Sequence, residues 1–126
     1  MSFADQALLV TRASGSTQAI PSVDCPGTYD LDGPQGLTKF YNNTSYASGM
    51  CYPCQVLMGA TFDVELIEAI GRCFGEDMLC AGQQVLYGPG ANIQRSPYSG
   101  RNGEYYSEDP YLTKVMLAAE DRKSVV

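Results

Sequence analysis

Residues 88–110 read GPGANIQRSPYSGRNGEYYSEDP, and the fold turns on how that stretch is read. It lies between an apolar run, Gln83 to Tyr87, and a helical pattern that begins at Pro110. Its 23 residues far exceed the usual βα connection of about 2–6 residues. A loop of this length inside a domain is either functional or disordered. Gly88, Gly90, Gly100 and Gly103 punctuate it, and Arg95, Arg101, Asn92, Asn102 and several tyrosines fill it. That composition suits a shaped binding surface better than a solvated tether.

Working outward, Gln83–Tyr87 predicts a strand and residues 110–120 a helix. Pro110 would sit in its first turn, Ser107 or Asp109 would cap it, and Leu112, Val115, Met116 and Ala119 would form its apolar face. Upstream, residues 63–81 carry the strongest helical pattern. Asp63 is placed to cap it, Glu65 falls in its first turn, and Gly82 follows its end. Ile67, Ile70, Phe74, Met78 and Ala81 share one face, and the small residues Gly71 and Gly75 predict close packing against a neighbour. Phe40 to Pro53 reads as a second long loop, in which Asn42 and Asn43 open overlapping glycosylation sequons that matter only in a secreted eukaryotic protein. Thr28 to Leu31 predicts a short strand that delivers Asp32 to its carboxyl end, although the residues alone slightly favour Asp32-Gly33 as a plain turn. Ser2 and Asp5 form a capping-box pattern at the head of a helix over residues 3–11. Residues 14–27 read as a connector.

The predicted order is helix, strand, long loop, helix, strand, long loop, helix. Alternation of this kind implies an α/β protein with parallel strands, and both long loops leave the carboxyl ends of strands, where such proteins place binding sites. Two strands cannot form a doubly covered parallel sheet, so the chain reads as part of a larger unit.

Composition excludes several classes. With 126 residues, 44% apolar and 17% charged, the chain is globular. A net charge of −6 without a basic run argues against nucleic acid. No apolar run reaches the ~20 residues of a membrane helix. The first ten residues lack the pattern of a signal peptide, which points toward the cytoplasm. Histidine is absent, which removes Cys/His zinc sites and His-based catalysis; no metal or other cofactor is expected. Cys51 and Cys54 have the spacing of a thiol redox pair, but the Gly/Asn/Ser-rich stretch before them favours ordinary cysteines.

The residues also resemble a family. Asp30-Leu-Asp-Gly-Pro-Gln-Gly-Leu37, Ala60-Thr-Phe-Asp63, Gly88 to Pro97 and Gly100 to Pro110 are similar, in order and spacing, to the first-strand, first-helix and second-strand motifs of glycoside hydrolase family 3, the β-glucosidase and β-xylosidase group. The resemblance implies a partial (β/α)8 TIM-like barrel, its first two βα units preceded by an N-terminal helix. Residues 1–27 would be that helix and a connector, and 28–120 an incomplete N-terminal barrel domain of a fold that needs about 250 residues. It implies that Asp32 accepts hydrogen bonds from sugar hydroxyls and that Arg101 donates to them. Arg95, Glu104, Glu108 and Asp109 are expected to hold the loop through ion pairs and capping. Tyr105 and Tyr106 are read as loop packing in preference to a sugar platform.

There are departures. Gln94 stands where the family often has His, Gly103 where it often has an aromatic residue, and Thr38 where some members have a sugar-binding Arg. These touch substrate preference, not membership. The family is retaining, with an Asp nucleophile on a later barrel strand, a general acid from further on, and a Lys-His sugar-binding pair after the third strand. None of these is expected in this chain, so it holds no catalytic residue and is expected to be inactive alone. The closing hexapeptide, Asp121 to Val126, resembles the translation of a sequencing-library adapter, so residues 121–126 read as a non-native tail, against a natural polar tail. The parent would hydrolyse terminal non-reducing β-D-glucosyl or xylosyl residues, with a β-linked glucoside or oligosaccharide as its partner. The alternatives are a non-catalytic carbohydrate-binding or assembly module, or a thiol redox protein using Cys51 and Cys54.

Overall fold

The computed structural model describes residues 1–11, 16–37 and 50–124. The two sequons, Thr38 and the greater part of the Phe40–Pro53 loop lie outside them.

The first helix, α1 (Phe3–Thr11), begins on the reciprocal cap that the sequence predicts. The Ser2 amide donates to Asp5 Oδ2 at 2.8 Å, and the Asp5 amide donates to Ser2 Oγ at 3.2 Å. The Ser22 hydroxyl also donates to Asp5 Oδ2, at 2.9 Å, tying α1 to a 3-10 turn at Pro21–Val23.

A two-residue strand, β1 (Ser16–Thr17), then pairs antiparallel with β2 (Thr28–Asp32). The sequence reading had two strands; the described residues form a three-stranded sheet in the order β1-β2-β3. Two residues carry no period, so β1 leaves no pattern to read. It exists because the chain folds back on itself: Ile20 bridges Cys25, and the Thr17 and Thr28 hydroxyls meet at 2.8 Å. The third strand, β3 (Val85–Tyr87), lies parallel to β2, as the alternation of elements requires. Asp32 stands opposite Tyr87 in the register.

A six-residue helix, α2 (Gln55–Ala60), follows Cys54 and was not expected. It is too short for a helical period, and Gly59 weakens its pattern. Gly59 is there for proximity, since a Cβ at this position would lie 2.5 Å from the Tyr106 carbonyl oxygen.

The long helix, α3 (Val64–Cys80), matches its prediction. Asp63 Oδ1 accepts from the Leu66 amide at 3.0 Å, and Gly82 takes the left-handed conformation at φ 69°. Ile67, Phe74 and Met78 are buried, while Ile70 and Ala81 are half-buried. Gly71 lets α3 press against the last helix, α4 (Pro110–Ser124): a Cβ there would fall on the Glu120 carbonyl oxygen. Asp109 caps α4, its Oδ1 accepting from the Tyr111 amide at 2.8 Å. The helix predicted to end at Glu120 continues to Ser124.

The core gathers Met58 of α2, Ile67 of α3, Met116 and Ala119 of α4, and Tyr106 of the long loop. The loop is therefore anchored in the core by an aromatic side chain. Burying a residue of this kind contributes about 1.5–3 kcal/mol.

Candidate functional site

The carboxyl ends of β2 and β3 open together into a cleft of about 820 Å³. Its walls come from the turn after β2, from Gln55 of α2, and from the loop after β3. Asp32 and Arg101, the two residues singled out for ligand contact, both line it.

Asp32 is delivered by strand pairing. It is the last residue of β2, and the chain then turns at Gly33 (φ 106°) and Gly36 (φ 132°). Asp32 is thus a strand residue paired with Tyr87, and the plain-turn reading that the residues alone slightly favoured gives way to the strand reading. Gly36 is further constrained by close approach, since a Cβ would lie 3.0 Å from the Met50 carbonyl oxygen. On the same strand Asp30 is engaged differently, accepting from the Tyr87 hydroxyl at 2.9 Å.

Arg101 is delivered by the loop. Its Nε donates to Glu104 Oε1 at 3.1 Å and Oε2 at 3.0 Å, and its Nη2 donates to Glu104 Oε2 at 2.7 Å. A 3-10 turn at Asn102–Glu104 brings the two side chains together. Hydrogen bonding to Arg101 holds the Glu104 carboxyl below the ordinary range. Arg101 is raised in turn, first by Glu104 and to a lesser degree by the charge of Asp32. The fork of the guanidinium is thereby oriented by one carboxylate while it stands in the field of another.

The rest of the loop is held by residues that the sequence did not single out for that task. Gln94 donates through Nε2 to the carbonyls of Asn102 at 2.9 Å and Tyr105 at 2.8 Å, and its own amide donates to Ser107 O at 3.1 Å. Asn102 Nδ2 donates to Ser96 O at 2.7 Å. Gly90 is wedged in place: a Cβ there would fall on the Glu104 carbonyl oxygen and lie 3.0 Å from both Gln55 Oε1 and Tyr105. A glutamine inside a Gly/Pro-rich loop carries no periodic signal, so only the departure at position 94 hinted at its place.

The remaining expected loop residues divide. Glu104 pairs with Arg101 and Asp109 caps α4, whereas Arg95 and Glu108 are exposed. Arg95 lines a neighbouring hollow of about 590 Å³ with Ser96 and Asn102. Tyr106 is buried, and Tyr105 is half-buried and lines the cleft.

All five cysteines are free; Cys51 is exposed at the cleft and Cys54 stands at the N-cap of α2. Among the described residues no cluster of three or more His, Cys, Asp or Glu is arranged to hold a metal. No described helix is long and apolar enough to cross a membrane.

Residues 28–120 match the profile of the glycosyl hydrolase family 3 N-terminal domain. The chain is 39% identical over 102 residues to a probable β-glucosidase I of Neosartorya fischeri, covering 79% of this chain and 12% of that protein. It is 37% identical over 109 residues to thermostable β-glucosidase B of Acetivibrio thermocellus, covering 82% and 14%. Among solved structures, β-glucosidase 3B of Thermotoga neapolitana in complex with glucose superimposes with a TM-score of 0.80 at 35% identity, over 89% of this chain and 16% of that one. A family 3 β-glucosidase of Bifidobacterium adolescentis gives 0.83 at 29% identity, over 96% and 17%. The chain thus spans only about an eighth of the length of the curated relatives named here. The matched profile covers most of the chain and includes both loops of the cleft, and the chain belongs to glycoside hydrolase family 3, within its N-terminal domain.

Proposed function

We propose that this chain supplies part of the sugar-holding wall of a retaining β-glycosidase that acts on terminal non-reducing β-D-glucosyl or xylosyl residues. The observation that carries the reading is the meeting of Asp32 and Arg101 on one cleft at the carboxyl ends of two parallel strands. A carboxylate accepts from two vicinal hydroxyls, and a guanidinium donates in a plane, so together they read the ring of a neutral sugar. Glu104 orients Arg101, and Gln94, Asn102 and Asp109 hold the loop that carries both. In this reading residues 28–120 form the first two βα units of a (β/α)8 barrel, with residues 1–27 leading into it.

The same residues argue that the chain binds without cleaving. A retaining displacement needs a nucleophilic carboxylate and a proton-donating one about 5–5.5 Å apart. The carboxylates lining the cleft among the described residues are Asp32 and Glu104. Glu104 is committed to Arg101 and is held in its ionised form, which disqualifies it as the acid.

Titration of the purified chain with glucose, followed by NMR, tests the binding half. Millimolar binding is expected, weakened about tenfold or more by Asp32→Asn and by Arg101→Ala. No binding, or binding that ignores both substitutions, would remove the assignment. Hydrolysis of an aryl β-glucoside by the same preparation would overturn the second half.

A further inference from the structure

We propose that the hollow around Arg95 is a second subsite that takes a carboxylate, so that it and the cleft together select β-glucosides whose aglycone is acidic. The proposal rests on the sugar reading of the cleft. The hollow, of about 590 Å³, and the cleft have Ala91, Asn92 and Tyr105 in common as lining residues. A substituent on a ligand held by Asp32 and Arg101 therefore meets the hollow next.

Charge decides what the hollow can hold. The loop carries two arginines in unlike surroundings. Arg101 has a carboxylate of its own in Glu104. Arg95 is exposed, and among the described residues no ion pair or hydrogen bond engages its side chain. No aspartate or glutamate among the described residues lines its hollow. With fourteen acidic residues to eight basic ones in the chain, a cation left without an acid is the exception. Beside it stand neutral donors, Asn92, Ser96 and Ser99. A guanidinium gives a planar carboxylate two parallel hydrogen bonds, and hydroxyl and amide donors can satisfy the remaining lone pairs. A single cation in a chain of net charge −6 suits a monoanion. A phosphate dianion would bring a second charge with no second cation to meet it.

The backbone under these donors is fixed before a ligand arrives. Ser96 O accepts from Asn102 Nδ2 at 2.7 Å and from the Ser99 amide at 3.2 Å. Ser96 Oγ accepts from the Tyr98 amide at 3.3 Å, which leaves its own proton free to donate. Gln94, the residue before Arg95, is tied to two carbonyls. Arg95 thus rises from an anchored stretch, and binding has to order little more than its side chain.

The test compares phenyl β-D-glucoside with para-carboxyphenyl β-D-glucoside, titrated into the full chain and followed by NMR. The wild type should bind the carboxylated compound about fivefold more tightly at low salt, and the preference should shrink as salt is raised. Arg95→Gln should bind the two compounds alike, with its affinity for phenyl β-D-glucoside and its unfolding transition both unchanged. Equal affinities in the wild type, or a preference that survives Arg95→Gln, would overturn the proposal and leave the sugar reading standing. Failure of the wild type to bind either glucoside would remove both. Benzoate alone should bind more weakly than the carboxylated glucoside; equal affinity would show an anion site unconnected with the cleft and would also overturn the proposal.

Discussion

Arg101 and Glu104 face each other edge to edge: two guanidinium nitrogens reach one carboxylate, with Nη2 only 2.7 Å from Oε2. Two residues of a 3-10 turn, Asn102 and Gly103, separate a solvent-facing fork from the group that aims it. The pair is exposed, so its value lies in orientation more than in stability. Glu104→Gln should therefore leave the unfolding transition nearly unchanged while weakening glucose binding about fivefold, a loss of orientation without a loss of contact. Arg101→Lys should weaken binding further, because a point charge cannot present a planar fork. Calorimetric titration alongside a denaturation curve separates the two effects.

Gln94 is the hub of the loop, one amide serving two carbonyls. Gln94→Ala leaves the Asn102 and Tyr105 carbonyls without that donor and should cost about 1–3 kcal/mol by urea denaturation. Hydrogen exchange at the Glu104 and Tyr105 amides, which close the adjacent turn, should quicken in the variant.

Three glycines should respond to alanine in three ways. Gly71→Ala pushes a Cβ into the Glu120 carbonyl and should destabilise the α3–α4 contact by about 1–3 kcal/mol. Gly82→Ala meets open space but must hold φ 69°, at a cost of about 1 kcal/mol. Gly103→Ala meets open space without that strain and should stay within about 0.5 kcal/mol of the parent. Equal effects at all three would contradict the packing described for α3 and α4.

Asp63 holds the first turn of α3 through the Leu66 amide. Asp63→Ala should cost about 1 kcal/mol, and Asp63→Asn much less, since asparagine caps nearly as well. Thermal melts of the two variants followed by circular dichroism distinguish a lost cap from a lost charge.

What the sequence settled by itself was local and periodic. The Ser2–Asp5 box, the Asp63 cap, the Gly82 stop and the buried face of α3 follow from spacing, because each involves neighbours within a turn or two of one helix. The parallel pairing of β2 and β3 followed from the order of elements, and the motif residues Asp32 and Arg101 were legible from the family pattern. Tertiary structure decided what depends on distant partners. Strand β1 exists only through its pairing with β2, and α2 is short, with Gly59 set directly against the Tyr106 carbonyl. Gln94 finds its carbonyls across a turn, and Arg101 is aimed by Glu104. Glu120 closes the helix that the sequence predicts over residues 110–120. It is buried because Tyr106, 14 residues earlier in the chain, brings a hydroxyl into the core that needs a partner.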